Sequence, residues 1–195
     1  MMNRSVLLRL LSVMVLALLP SLAYAHASVI ETGGFMHGLA HPAGGLDHVC
    51  AMLAVGLWAA QTGGRSMWAV PLTFVGVMAL GGALPLLGVV LPFVEQGIVL
   101  SVLLLGVLIA AAIRLPLWLG SSMVGLFALW HGHAHGIEMP EAVSGIGFTL
   151  GFVLTTALLH ALGIAFGLGM QSLARQRLIR AAGAGIALCG IYLAV

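Results

Sequence analysis

Apolar residues in this chain run in long blocks rather than alternating with polar ones. The blocks cover about 37–60, 67–90, 94–113, 116–134, 142–169 and 179–195. Most approach or exceed the roughly 20 apolar residues an α-helix needs to cross a hydrocarbon core; the fifth is long and the last short. Polar or helix-breaking residues separate them at Gln61 to Ser66, Leu91 to Glu95, Arg114 to Pro116, Gly136 to Glu141 and Gln171 to Arg180. The pattern predicts an all-α fold, a polytopic membrane helix bundle of six transmembrane helices. Ahead of it, residues 1–25 carry Arg4 and Arg9, an apolar core from Leu10 to Leu19, the breaker Pro20, and Ala23-Tyr24-Ala25. That order reads as a secretory signal with an A-x-A cleavage site, its core only about half a spanning length. Removal leaves residues 26–195 as one six-helix transmembrane domain.

Composition supports a lipid solvent. With 62% hydrophobic and 6% charged residues, and a mean hydropathy of +1.18, there is too little polar surface to clothe a soluble globule. Lysine is absent, and the seven basic residues are all arginines too scattered to form a nucleic-acid patch. Arg65, Arg114 and the trio Arg175, Arg177 and Arg180 fall in alternate loops. Placing those loops in the cytoplasm satisfies the rule that basic loops stay inside, and puts both mature termini on the periplasmic side of a bacterial inner membrane. Glu31, Glu95, Glu138 and Glu141 then fall on the outer side, with Asp47 inside the first span, as a cation site facing outward requires. Gly147 to Gly151 and Gly163 to Gly167 carry the GxxxG spacing that lets membrane helices touch. Cys50 and Cys189 lie in apolar runs and read as buried thiols, and the methionines as packing or lipid-facing groups.

Candidate chemistry is confined to two stretches. His37-Gly38-Leu39-Ala40-His41-Pro42-Ala43-Gly44-Gly45-Leu46-Asp47-His48 opens the first span. On an ideal helix His37, His41 and His48 share a face and Asp47 points off it. Pro42, Gly44 and Gly45 favour a break, which would swing Asp47 toward the histidines. The second stretch, Trp130-His131-Gly132-His133-Ala134-His135-Gly136-Ile137-Glu138, ends the fourth span. His131, His135 and Glu138 fall at i, i+4 and i+7 on one face, with His133 nearly opposite as a supporting group, a loop ligand or an outward capture residue. Neutral imidazole with carboxylate suits borderline divalent ions such as Ni, Co, Zn and Cu(II). The alternative, polar glue between helices, explains one such group better than six in two compact segments. His160 stands alone in the fifth span and either bonds a backbone carbonyl or binds metal. Glu95 is either a solvated loop acid or an attracting mouth, and His26 at a mature terminus would chelate through its amine and ring.

His41-Pro42-Ala43-Gly44-Gly45-Leu46-Asp47-His48, followed by Ala51-Met52-Leu53-Ala54-Val55-Gly56-Leu57-Trp58, resembles the HPxxGxDH signature of the HupE/UreJ family of nickel and cobalt permeases. His131-Gly132-His133-Ala134-His135-Gly136-Ile137-Glu138 is similar to that family's HGxAHGxE-like motif. The resemblance implies a secondary permease that takes up Ni²⁺ or Co²⁺ as substrate and holds no resident cofactor. It implies metal-ligating roles for His41, Asp47, His48, His131, His135 and Glu138. It also implies service to hydrogenase, urease or cobalamin maturation; a homo-oligomer is left open. With no nucleotide-binding motif in the chain, energy would come from a potential, a gradient or capture of metal inside. Two readings of other classes stand beside it: a membrane-embedded zinc hydrolase, and a metal-binding accessory protein that transports nothing.

Overall fold

The computed structural model describes residues 33–140 and 143–195. The proposed signal peptide, His26, Glu31 and Glu141 lie outside them. The described residues fold as helices and loops, with no strand among them. The order is α1 (Gly34–Gly44), α2 (Leu46–Thr62), α3 (Ser66–Ala83), a 3-10 turn (Pro85–Leu87), α4 (Val94–Ala111), α5 (Leu117–Ile137), α6 (Gly145–Ser172) and α7 (Gln176–Leu193).

The first apolar block is two helices, not one. Gly45 takes an extended conformation, φ −104° and ψ 123°, and α1 and α2 meet at 83°. The ideal-helix face of His37, His41 and His48 is thereby corrected: His48 lies beyond the break. The second block also ends early, because Pro85 lacks the N–H to continue α3. The chain turns there through Gly88, at φ 73°.

Three stretches are long and apolar enough to cross a membrane: Ser66–Leu87, Val94–Ala111 and Gly145–Ser172. The bent α1–α2 pair makes a fourth if it is one span. At 21 residues α5 is long enough, as is α7 at 18. Histidines in one and arginines in the other dilute their hydropathy. Outward faces carry Trp68, Leu72, Leu80, Leu150 and Leu158, all exposed, as lipid-facing positions would be.

Glycine sets how the helices pair. A Cβ on Gly38 would strike the Phe148 carbonyl, and one on Gly56 the His160 carbonyl, so α1 and α2 ride with their backbones against α6. Gly151, Gly163 and Gly167 answer from the other side, which bears out the packing role read from their spacing. Gly132 and Gly136 meet Met78 and Gly82, so α3 and α5 run in the same direction; Gly106 and Gly183 meet Ala187 and Ala110, so α4 and α7 run oppositely. The core between them holds Trp58, Phe74, Met52, Met78, Phe148 and Phe152.

All five described arginines lie at one end of this bundle, where α2, α4 and α6 finish and α3, α5 and α7 begin. Polar side chains tie that end together. Gln61 Nε2 donates to Ile109 O at 3.1 Å, Gln171 Nε2 to Ala60 O at 2.9 Å, and Arg180 Nε to Ala110 O at 2.7 Å. Asp47, Glu95 and Glu138 gather at the other end, together with the α1–α2 break.

Candidate metal centre

The break at Gly45 decides the site. Because α2 starts afresh at Leu46, Asp47 stands in its first turn and His48 directs its ring inward. Asp47 Oδ1 accepts from the His48 backbone N–H at 2.8 Å and from His48 Nδ1–H at 3.0 Å. With its proton held on Nδ1, the His48 ring keeps a lone pair on Nε2, which is buried without a hydrogen-bond partner. A carboxylate behind an imidazole is the arrangement that orients histidine for a metal and raises its basicity.

From α5, His131 and His135 are fully buried and face the break. The His48 ring lies 4.7 Å from each of them, centroid to centroid, and the His41 ring lies 5.0 Å from that of His135. Two stretches nearly a hundred residues apart therefore converge, as the paired motifs anticipated. Glu138, one residue past α5, reaches across so that its Oε2 accepts from His41 Nε2 at 2.7 Å. Among the described residues, no three of these donors are spaced to grip an ion as they stand.

A cavity of about 360 Å³ opens onto this cluster, lined by His41, Asp47, His48, His135, Glu138 and Glu95. Glu95, exposed in the first turn of α4, forms a wall of the cavity. Its only local signal was a carboxylate just past Pro92, which the chain alone does not tie to His41 or Asp47.

His131 has a partner that the sequence reading missed. Ser101, buried on α4, donates its one hydroxyl hydrogen to Ile98 O at 2.6 Å, so at 2.9 Å from His131 Nε2 its oxygen accepts. The His131 ring is then protonated on Nε2, and its Nδ1 is buried without a hydrogen-bond partner. A lone serine in an otherwise apolar helix was the available signal.

The remaining candidates separate. His133 is buried, not an outward capture residue: its Nε2 accepts from the Leu91 N–H at 3.2 Å. Beside it Trp130 Nε1 donates to Pro92 O at 3.2 Å, so the two side chains strap the loop before α4 onto α5. His37 lies exposed on α1, a turn before His41. His160 bonds no carbonyl; both ring nitrogens are buried without a partner. Cys50 and Cys189 are free thiols, half-buried rather than buried, with their sulfurs 3.5 Å apart.

A family model described as "HupE / UreJ protein" matches residues 13–193. "Protein HupE" of Rhizobium leguminosarum bv. viciae is 45% identical over 181 residues, covering 91% of this chain and 92% of that protein. No solved structure matches the chain.

Proposed function

The chain belongs to the HupE/UreJ family, and from that premise we propose that it is a secondary carrier importing a divalent transition metal, Ni²⁺ or Co²⁺, across a bacterial inner membrane. One observation carries this reading. Four imidazoles from two distant segments meet within 5.0 Å, ring to ring, beside a cavity walled by three carboxylates.

Each part has a task in that mechanism. The cavity carboxylates Glu95, Asp47 and Glu138 draw a hydrated cation to the acidic end. There His48 Nε2 and His131 Nδ1 present the lone pairs that their partners Asp47 and Ser101 leave free, and His135 adds a third ring. His41 and Glu138 must part for the cation to enter. The two thus trade a mutual hydrogen bond for the metal, and the ligands stay satisfied in both conditions. An all-nitrogen-and-oxygen set suits borderline divalent ions over cuprous copper.

The same geometry supports six spans with the cavity outward. Six alternating crossings put spans of like parity parallel and spans of unlike parity antiparallel. The same-direction pairing of α2 with α6 and of α3 with α5, and the opposed pairing of α4 with α7, fit that alternation. With the arginine end in the cytoplasm, the cavity faces the periplasm and both mature termini lie outside. A divalent ion moving inward down 100 mV gains about 4.6 kcal/mol, twice the single-charge value, so import needs no nucleotide.

The test is uptake of radioactive nickel or cobalt into vesicles holding only this protein, oriented and energised by an inside-negative diffusion potential. Saturable accumulation that collapses in His48→Ala supports the carrier. Tightly held stoichiometric zinc with lipid or peptide cleavage makes the protein a hydrolase instead. Binding without accumulation makes it an accessory protein.

A further inference from the structure

Below the outer cluster the rings continue. Phe74 of α3 stands with its ring 5.5 Å from that of His131 and, edge-on, 5.1 Å from that of His160. The face of α6 that follows this descent repeats every four residues. Phe148 lies against His41, Phe152 stacks on His135 at 4.8 Å, Thr156 comes next, and then His160. Eight residues of helix place His160 about 12 Å deeper than Phe152. The contact between Gly56 and the His160 carbonyl agrees, since Gly56 lies eight residues beyond His48 on α2.

The surroundings of His160 are unusual for packing alone. It is 2% exposed, and neither ring nitrogen has a hydrogen-bond partner. One helical turn above it the Thr156 hydroxyl, fully buried, donates to sulfur instead of to a carbonyl. Its oxygen lies 3.3 Å from Met52 Sδ and 3.6 Å from Met78 Sδ. Two thioethers and a hydroxyl thus lie one helical turn above a buried imidazole whose nitrogens have no partner. Leaving a polar ring bare in such a place costs free energy unless something visits it.

We infer that His160, with Thr156 Oγ1 and the thioethers of Met52 and Met78 one turn above it, forms a second, inner cation site that the metal occupies in transit beyond the outer cluster. This rests on the carrier reading above. The inner donors are fewer and softer than the outer ones, so this site holds the ion more weakly. A carrier needs that order: binding strong enough to capture at the entrance and weak enough to release beyond it. The Phe74 ring, against both His131 and His160, separates the two sites.

Nickel binding by equilibrium dialysis of the full-length purified chain, with nickel uptake into vesicles, tests this. The unmodified chain binds two Ni²⁺, one tightly and one weakly. His160→Ala should bind one, with the tight affinity held to within about twofold, as expected of sites this far apart. Its uptake should fall at least about tenfold, the lesser cost of disturbing a metal shell. The tight site also reports that the variant is folded. Met52→Leu with Met78→Leu, which keeps volume and removes both sulfurs, should weaken only the second ion. Unchanged stoichiometry and uptake in His160→Ala overturn the inner site and leave the carrier standing. Loss of both ions together in a variant of unchanged helicity also overturns it, since the sites would then be one. Absence of nickel binding and uptake in the unmodified chain overturns both readings.

Discussion

Ser101→Ala removes a single oxygen that never touches the cavity, yet it should weaken metal binding. In the native chain that oxygen gives its hydrogen to Ile98 O at 2.6 Å and takes the His131 Nε2 hydrogen at 2.9 Å. Without it, two outcomes are open to a ring with no exposure to water. The proton stays on Nε2 and is buried unpaired, at a cost of about 1–3 kcal/mol. Otherwise it moves to Nδ1, and the lone pair there is lost. Either outcome penalises the ligating form. A supporting partner of a metal-binding histidine is worth about 10–100-fold in affinity, which at 1.4 kcal/mol per tenfold is about 1.4–2.8 kcal/mol and matches the buried-donor cost. The assay is nickel affinity by titration calorimetry in detergent, with circular dichroism as the check on folding. Ser101→Thr, which keeps the hydroxyl, should recover most of the loss. Native-like affinity in a folded Ser101→Ala would refute the assignment of the His131 tautomer, and with it the proposed ligand role of Nδ1.

Three further expectations concern the same framework. Imidazole ligates only as the neutral ring, so nickel affinity should fall at low pH as protons compete for the ring lone pairs; affinity unchanged down to the lowest pH at which the chain stays folded would remove histidine from the site. Gly38→Ala sets a methyl against the Phe148 carbonyl and should lower stability by about 1–3 kcal/mol in detergent melts. Gly76→Ala, with open space at its Cβ, should cost nothing, and equal effects at the two positions would sink the close α1–α6 contact. In a background free of Cys50 and Cys189, a cysteine replacing Arg114 should react with an impermeant thiol reagent only after the membrane is opened, whereas one replacing Glu95 should react in intact spheroplasts; the reverse pattern would invert the proposed orientation.

Much of this was legible in the chain itself. Apolar blocks and alternating arginine loops speak for a helical bundle in lipid, because the cost of burying backbone and charge there is paid residue by residue. The donor types, and the chance of a break near Pro42 to Gly45, are likewise local properties. What only tertiary structure decided is which groups face one another. The 83° turn at Gly45 carries His48 to the rings of α5; Ser101 meets the His131 ring from another helix; Glu95 reaches the cavity wall, while His133 is diverted to strap a loop. None of these follows from spacing along the chain, because each depends on how closely glycine faces let separate helices approach. In a membrane, where lipid is as apolar as the helix surface, that approach is governed by shape and hydrogen bonding rather than by a hydrophobic pattern that a sequence displays.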